Sequence, residues 1–242
     1  MPKRALVFKH MQADDPNLFA DLFAADGIDV DVVHFYRGDG VPALRPYDLM
    51  LVLGAPQQVW EEEKHPWLVA EKQAIREWVA IRARPYIGIC FGHQLLADAL
   101  GGKVALARES EIGLKSVNLT GAADAHPFFA RLAPDHRVMQ WHHAEVTELP
   151  EGAVPLAASP VTRHQAFAID AHALGVQFHC EWTLQSIRDW AREPSWIAAL
   201  ESELGEGAHP RLVAEAEPHM AACNRLTATI YGNFKQGAGL KV

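Results

Sequence analysis

The sequence predicts an α/β protein with a doubly wound, mostly parallel central sheet, an antiparallel hairpin region and a helical C-terminal extension. Short apolar segments alternate with amphipathic helical segments over residues 4–102. Strand-like segments then follow one another as far as residue 179, and helical spacing of apolar residues returns from residue 183. Strands that alternate with helices form parallel sheets, whereas successive strands form hairpins.

Three strands and two helices are predicted in the first part of the chain. Residues 4–9 form the first strand, and residues 16–25, with apolar side chains at helical spacing, form the helix that follows. Residues 29–36 and 47–53 form the next two strands. The third is almost wholly apolar, as expected for a parallel strand covered on both faces. A helix over residues 66–83 completes the pattern of a flavodoxin-like sheet.

Residues 84–102 are predicted to form a buried strand, a sharp turn at Cys90 and an amphipathic helix that ends at Gly101. Gly88 and Gly92 flank the turn and give the pattern Gly-x-Cys-x-Gly, the cysteine counterpart of the Gly-x-Ser-x-Gly nucleophile elbow. The helix start beside Cys90 carries a partial positive charge, which stabilises a thiolate. We therefore interpret Cys90 as a nucleophile.

Two other interpretations of Cys90 compete with this one. A lone cysteine in an apolar strand is more often a buried, unreactive thiol, and Cys90 and His93 together would be two ligands of a zinc ion. The flanking glycines and the helix start favour the nucleophile, and no second pair of residues with zinc-ligand spacing follows. We accordingly predict no metal and no cofactor.

Composition narrows the classes of partner. The chain of 242 residues has 22 Lys and Arg against 30 Asp and Glu, a net charge of -8, and no dense basic cluster, so nucleic acid is not an expected partner. No apolar segment approaches the roughly 20 residues of a membrane-spanning helix. The three cysteines, an odd number, are typical of a reducing compartment. We expect a cytoplasmic protein with free thiols and no membrane partner.

A second candidate motif ends a predicted strand over residues 176–181. Side chains two apart on a strand point the same way, so His179 and Glu181 share one face, while Cys180 points to the other. A histidine oriented by a third group is the base that a cysteine nucleophile needs. Residues 211–234 are then predicted as a long helix. We divide the chain into a domain of residues 1–190 and a helical extension of residues 191–242, which packs on that domain or forms a homodimer surface.

Two of these motifs resemble those of class I glutamine amidotransferases. The segments GICFGHQ (88–94) and QFHCE (177–181) match the family's nucleophile and His-x-Glu motifs in order and spacing. Supporting segments are GAP (54–56), HPWL (65–68), ALGGKV (99–104), EIG (111–113) and WHHAEVTELP (141–150). The resemblance covers about residues 4–190 and is greatest to stand-alone members similar to the amidotransferase half of GMP synthase.

The resemblance implies an activity. Cys90 would attack the side-chain amide of glutamine or a related small γ-glutamyl compound and form a thioester, with His179 as the proton carrier and Glu181 as the group that fixes the imidazole. The ammonia released would pass to a separate synthase. Alternatives on the same fold are a γ-glutamyl hydrolase or peptidase that needs no partner, and a regulatory protein without turnover.

The resemblance also implies binding residues and reveals departures from the family pattern. The oxyanion would be bound by N–H groups of Phe91 and of Gly54 or Ala55, and Gln94 would contact the substrate. His142 and His143 either line the site or are ordinary strand residues. Ala55 stands where relatives commonly have glycine, so positive φ there would cost about 1–2 kcal/mol of strain. Other departures are Ala144, where many relatives have an acidic residue for the substrate's amino-acid head, and Cys180, where the usual residue is proline.

Overall fold

The computed structural model describes residues 2–241. Nine strands lie within this range: β1 Arg4–Lys9, β2 Asp29–His34, β3 Leu49–Val52, β4 Tyr86–Ile89, β5 Lys103–Leu119, β6 Asp135–Glu148, β7 Val154–Ala158, β8 Ala166–Ile169 and β9 Ala173–Val176. The α-helices are α1 Leu18–Ala25, α2 Trp67–Arg76, α3 Phe91–Ala99, α4 Leu184–Asp189, α5 Pro194–Leu204 and α6 Ala208–Gly237. A π-helical segment, Glu77–Ile81, extends α2.

All nine strands form one mixed sheet in the order β2-β1-β3-β4-β9-β8-β7-β5-β6. The strands from β2 to β9 pair in parallel, and those from β9 to β6 pair antiparallel. The predicted fold class is therefore confirmed. The carboxyl ends of β1, β3, β4 and β9 lie side by side, and this edge of a parallel sheet is where ligands bind.

Helices cover both faces of the sheet. On one face, Leu6 and Val52 pack with Trp78 from the π-helical segment and Leu95 from α3. On the other face, α6 contributes Leu226, Ile230 and Phe234 to the core that contains Leu49, Ile87 and Phe19. A third cluster joins α4, α5 and the first half of α6 to β5 and β6. The division of the chain at residue 190 stays a prediction.

The structure corrects the extent of the strand that carries the His-x-Glu motif. The sequence pattern predicts a strand over residues 176–181, but β9 ends at Val176. Beyond it the Gln177 N–H donates to the Gln165 carbonyl (2.8 Å) and the His179 N–H to the Met139 carbonyl (2.9 Å). The chain therefore leaves β4 and crosses from the start of β8, next to Gln165, to β6, which contains Met139.

No helix within residues 2–241 is both long enough and apolar enough to cross a membrane.

Candidate active site

Cys90 occupies a strained turn between β4 and α3. Its backbone has φ 52° and ψ -100°, a combination that L residues rarely adopt. The turn is tight because a Cβ on Gly88 would collide with the Gly92 carbonyl, and a Cβ on Gly92 would collide with the Val52 carbonyl. The glycine pattern is thus explained by close backbone approach, which presents the Cys90 side chain at the carboxyl edge of the sheet.

His179 and Glu181 form a buried pair beside Cys90. The His179 Nδ1 lies 2.6 Å from Glu181 Oε1, and the ring stacks on Trp182 at 3.6 Å between centroids. Burial lowers the pKa of His179, but the charges of Glu181 and Cys90, with hydrogen bonds to both, outweigh it and hold the pKa well above its usual value. The hydrogen bond between His179 and Glu181 forms although neither residue lies in a regular strand, and the His179 side chain is also hydrogen-bonded to Cys90.

The sulfur has a further polar neighbour, Gln177, which is absent from the sequence-based candidates. The Gln177 Nε2 lies 3.6 Å from Cys90 Sγ, and its Oε1 accepts from Gln94 Nε2 at 3.1 Å. The Sγ also lies 3.8 Å from the Trp141 carbonyl oxygen. Gln177 lies two residues before His179, so the alternation that predicts a shared face for His179 and Glu181 also predicts that face for Gln177.

The expected oxyanion donors lie at two places next to Cys90. Gly54 and Ala55 line the cavity, and a Cβ built on Gly54 would lie 3.9 Å from the Cys90 Cβ. Phe91 is the first residue of α3, so its N–H has no partner within the helix. Ala55 does not have positive φ, so the strain considered for an alanine there does not arise.

The remaining candidates lie on α3 and β6. The Gln94 Nε2 donates to the Ala144 carbonyl at 3.0 Å, and both residues line the cavity. His142 is buried, with its Nε2 3.3 Å from Glu111 Oε2, whereas His143 is half-buried and bonds Ser110 Oγ at 2.8 Å. Both histidines line the cavity.

Asp14 is a cavity residue that the sequence motifs did not indicate. It lies between β1 and α1 and is 3% exposed, and its Oδ1 has no hydrogen-bond partner among residues 2–241. Burial and the Glu181 charge raise the pKa of Asp14 to about 6, against the lowering effects of the His179 charge and the Trp182 side chain. The only signal in the sequence is its place in the loop that follows a predicted parallel strand.

The cavity has a volume of about 410 Å³ and is bordered partly by the C-terminal helices. Ser195, Trp196 and Ala199 of α5 line it, and the Trp196 ring packs edge-on against Trp141 at 5.8 Å. Such a cavity exceeds what ammonia requires and has room for a compound the size of a γ-glutamyl amide.

The alternative metal pair was Cys90 and His93. His93 is fully buried against Phe167, does not line the cavity, and has its pKa lowered to about 3 by burial. Within residues 2–241 no three His, Cys, Asp or Glu side chains are grouped as ligands of a metal ion.

Comparison with known proteins identifies relatives of two kinds. The chain is 33% identical over 156 residues to the glutamine amidotransferase-like protein YfeJ of Salmonella typhimurium, covering 63% of this chain and 64% of YfeJ, just under two thirds of its length. It is 32% identical to a subunit of glutamine-hydrolyzing GMP synthase from Saccharolobus solfataricus, covering 64% of this chain and 77% of that protein. It is 26% identical to gamma-glutamyl peptidase 5 of Arabidopsis thaliana, covering 93% and 89% of the two chains.

A solved structure and a family model complete the comparison. The crystal structure of a glutamine amidotransferase from Thermotoga maritima superimposes with a TM-score of 0.87 at 27% identity, covering 98% of this chain and 99% of the other. The family model "Glutamine amidotransferase class-I" matches residues 17–189, well over half of the sequence. The chain therefore belongs to the class-I glutamine amidotransferase family.

Proposed function

We propose that this protein hydrolyses the side-chain amide of glutamine or of a related γ-glutamyl compound through a thioester on Cys90. The observation that carries the proposal is the arrangement of Cys90 on a strained elbow beside His179, whose other nitrogen is held by Glu181 at 2.6 Å. A nucleophile, a proton carrier and an orienting carboxylate together form the constellation that acyl transfer requires.

In the first half-reaction the Cys90 thiolate attacks the γ-carbonyl carbon, a C–S bond forms, and the carbonyl oxygen becomes an oxyanion. The raised pKa of His179 keeps a proton on its ring. As the C–N bond breaks, His179 gives this proton to the leaving nitrogen, and the amine or ammonia departs from a γ-glutamyl thioester.

In the second half-reaction a water molecule attacks the thioester carbon and gives a proton to His179. The C–S bond breaks, glutamate leaves, and the imidazolium and thiolate are restored. The Phe91 N–H and the Ala55 N–H are the proposed donors to the oxyanion in both halves, and one such donor contributes on the order of 10² to 10³ in rate.

A second candidate, a γ-glutamyl hydrolase or peptidase that acts without a synthase, is supported by α5. Ser195 and Trp196 of this helix border the cavity, and they lie outside the family model, which ends at residue 189. The Arabidopsis peptidase aligns with 93% of the chain, whereas the Saccharolobus protein aligns with 64%. A leaving group larger than ammonia has apolar surface to contact here.

The test uses the purified protein with L-glutamine, a γ-glutamyl dipeptide and L-asparagine. We expect hydrolysis of one or both γ-glutamyl compounds, little of the shorter asparagine amide, and a loss of about 10⁴-fold or more in Cys90→Ala. Preference for the dipeptide supports the hydrolase, and preference for glutamine supports the glutaminase.

Cys223→Ala is the matched control, because this thiol bonds the Arg137 carbonyl and does not line the cavity. Turnover that survives in Cys90→Ala, or that is lost equally in Cys223→Ala, contradicts the proposal.

A further inference from the structure

A second histidine–glutamate pair lies on the other side of the Gly54 backbone from the cavity. His10 follows β1 and Glu71 belongs to α2, and the side chains of both are completely buried. The His10 Nε2 lies 2.9 Å from Glu71 Oε1, and its Nδ1 lies 3.0 Å from the Gly54 carbonyl oxygen. This histidine thus joins a carboxylate to the backbone of the loop that carries the proposed oxyanion donor.

The partners of His10 fix its protonation. The Gly54 carbonyl oxygen only accepts hydrogen bonds, so the Nδ1 of His10 carries a proton and donates to it, while the neighbouring Glu71 carboxyl group favours a second proton on Nε2. Burial lowers the pKa of His10, but the charge of Glu71 and the hydrogen bonds to Glu71 and Gly54 outweigh it, and the pKa is raised.

Aromatic side chains seal the pair from water. Phe35 and Trp67 stack on the His10 ring with centroids 5.7 and 5.4 Å away, and Phe91 approaches edge-on at 5.1 Å. His10 does not line the cavity. It therefore has no access to substrate, and its contribution must pass through the Gly54 carbonyl.

The direction of that carbonyl determines the direction of the next N–H. The described chain has no cis peptide bond, and in a trans peptide the C=O and N–H point in opposite directions. Because the Gly54 carbonyl points to His10, the Ala55 N–H points away from His10, toward the cavity that Gly54 and Ala55 line. No acceptor within residues 2–241 is paired with this N–H.

We propose that His10, braced by Glu71, is a positioning residue that holds the Gly54–Ala55 peptide with its N–H directed at the oxyanion. A glycine preceding the peptide would otherwise permit rotation of the peptide plane, since glycine adopts both signs of φ readily. With the peptide held in this orientation, the oxyanion donor is in place before substrate binds. The inference rests on the proposed function, because its main readout is amide turnover.

The test compares two substitutions of similar size. The Asn side-chain nitrogen occupies the place of His Nδ1, so His10→Asn keeps a donor to the Gly54 carbonyl, whereas the longer His10→Gln places its nitrogen near the position of Nε2. We expect kcat for the preferred γ-glutamyl amide to fall about 10²-fold in His10→Gln, with KM nearly unchanged. The kcat of His10→Asn should remain at least tenfold above that of His10→Gln.

Alkylation by iodoacetamide separates positioning from general damage, since displacement of iodide by the Cys90 sulfur creates no oxyanion. Its rate should be equal in the wild type, His10→Asn and His10→Gln. The matched control is His172→Asn, which by the same geometry loses another histidine bond to a backbone carbonyl, from Nε2 to that of Val79, at a position that does not line the cavity. Its kcat should stay at the wild-type value.

The outcomes distinguish the two proposals. Turnover that does not depend on Cys90 overturns the proposed function. Turnover that depends on Cys90 but is equal in His10→Gln and His10→Asn, or slowed alkylation in His10→Gln, overturns the role of His10. If neither variant folds, ¹⁵N NMR of the wild-type imidazole decides: a proton on Nδ1 supports the role, and its absence overturns it.

Discussion

The two histidine–glutamate pairs have the same chemistry and different surroundings. In both, a buried glutamate bonds one ring nitrogen, at 2.6 Å for His179 and 2.9 Å for His10, and in both the carboxylate outweighs burial and raises the pKa of the histidine. His179 borders the cavity and meets the Cys90 sulfur, whereas His10 meets a backbone carbonyl inside an aromatic cage.

This difference indicates that the chemical group next to the second ring nitrogen determines the role of a histidine–glutamate pair. A sulfur in an open cavity exchanges protons with the ring, so we assign proton transfer to His179. A carbonyl in a sealed site accepts a hydrogen bond and exchanges nothing, so we assign positioning to His10. The charges of both histidines act on one further carboxyl group, since both lower the pKa of Asp14.

The same substitution in both pairs gives the largest expected difference. Glu181→Gln leaves His179 without the charge that keeps it protonated, so kcat should fall about 10⁴-fold, comparable to replacement of the orienting carboxylate by an amide in other triads. Glu71→Gln preserves a hydrogen-bond partner for His10, so kcat should fall by about tenfold or less. The measurement is steady-state hydrolysis of the preferred γ-glutamyl amide.

Equal reductions of kcat in Glu181→Gln and Glu71→Gln would contradict these assignments, because the two carboxylates would then act alike. The folded fraction of each variant, followed by circular dichroism, is the control.

Asp14 provides a prediction on stability. The pKa of this carboxyl is raised from 3.8 to about 6, so its contribution to stability is fully present below pH 3.8 and is lost as the pH rises through about 6. Above that pH a buried charge is retained at a cost of about 3 kcal/mol. Asp14→Asn should therefore raise the free energy of unfolding at pH 7.5 by up to that amount.

Urea unfolding at pH 4 and at pH 7.5 measures the effect. The increase in the free energy of unfolding caused by Asp14→Asn should be much smaller at pH 4 than at pH 7.5. A variant that is less stable than the wild type at pH 7.5 would show that the ionised carboxylate has a partner that stabilises it.

A smaller expected effect is the pH dependence of the stability that the His10–Glu71 pair contributes. The pKa of His10 is raised above 6.5 by Glu71, so the stability from this pair is fully present below pH 6.5 and is lost as the pH rises through the folded-state value. Glu71→Gln should lower the free energy of unfolding by about 1–3 kcal/mol near pH 6, and the gap to the wild type should narrow at alkaline pH. A gap that widens with pH would reverse the assigned charge state of His10.

Much of the His179–Glu181 pair could be predicted from the sequence, but little of the His10–Glu71 pair. The Cys90 elbow depends on glycines two residues away on each side, and His179 and Glu181 are two residues apart, so local spacing was enough. The His179 and Glu181 side chains meet although β9 ends at Val176, and their catalytic role stays a prediction.

His10 and Glu71 are 61 residues apart, and the bond from His10 to Gly54 spans 44. No local pattern marks contacts of this range, which arise only when β1, β3 and α2 pack together. Asp14 is missed for the same reason, since its neighbours His179 and Trp182 lie 165 and 168 residues further along the chain.

The most direct test of the central claim is intact-protein mass spectrometry after incubation with a γ-glutamyl electrophile, followed by peptide mapping. The account predicts a single adduct on Cys90, formed more slowly in His179→Gln and abolished by an excess of the preferred γ-glutamyl substrate. An adduct on Cys180 or Cys223, or equal labelling of Cys90 with and without that substrate, would contradict it.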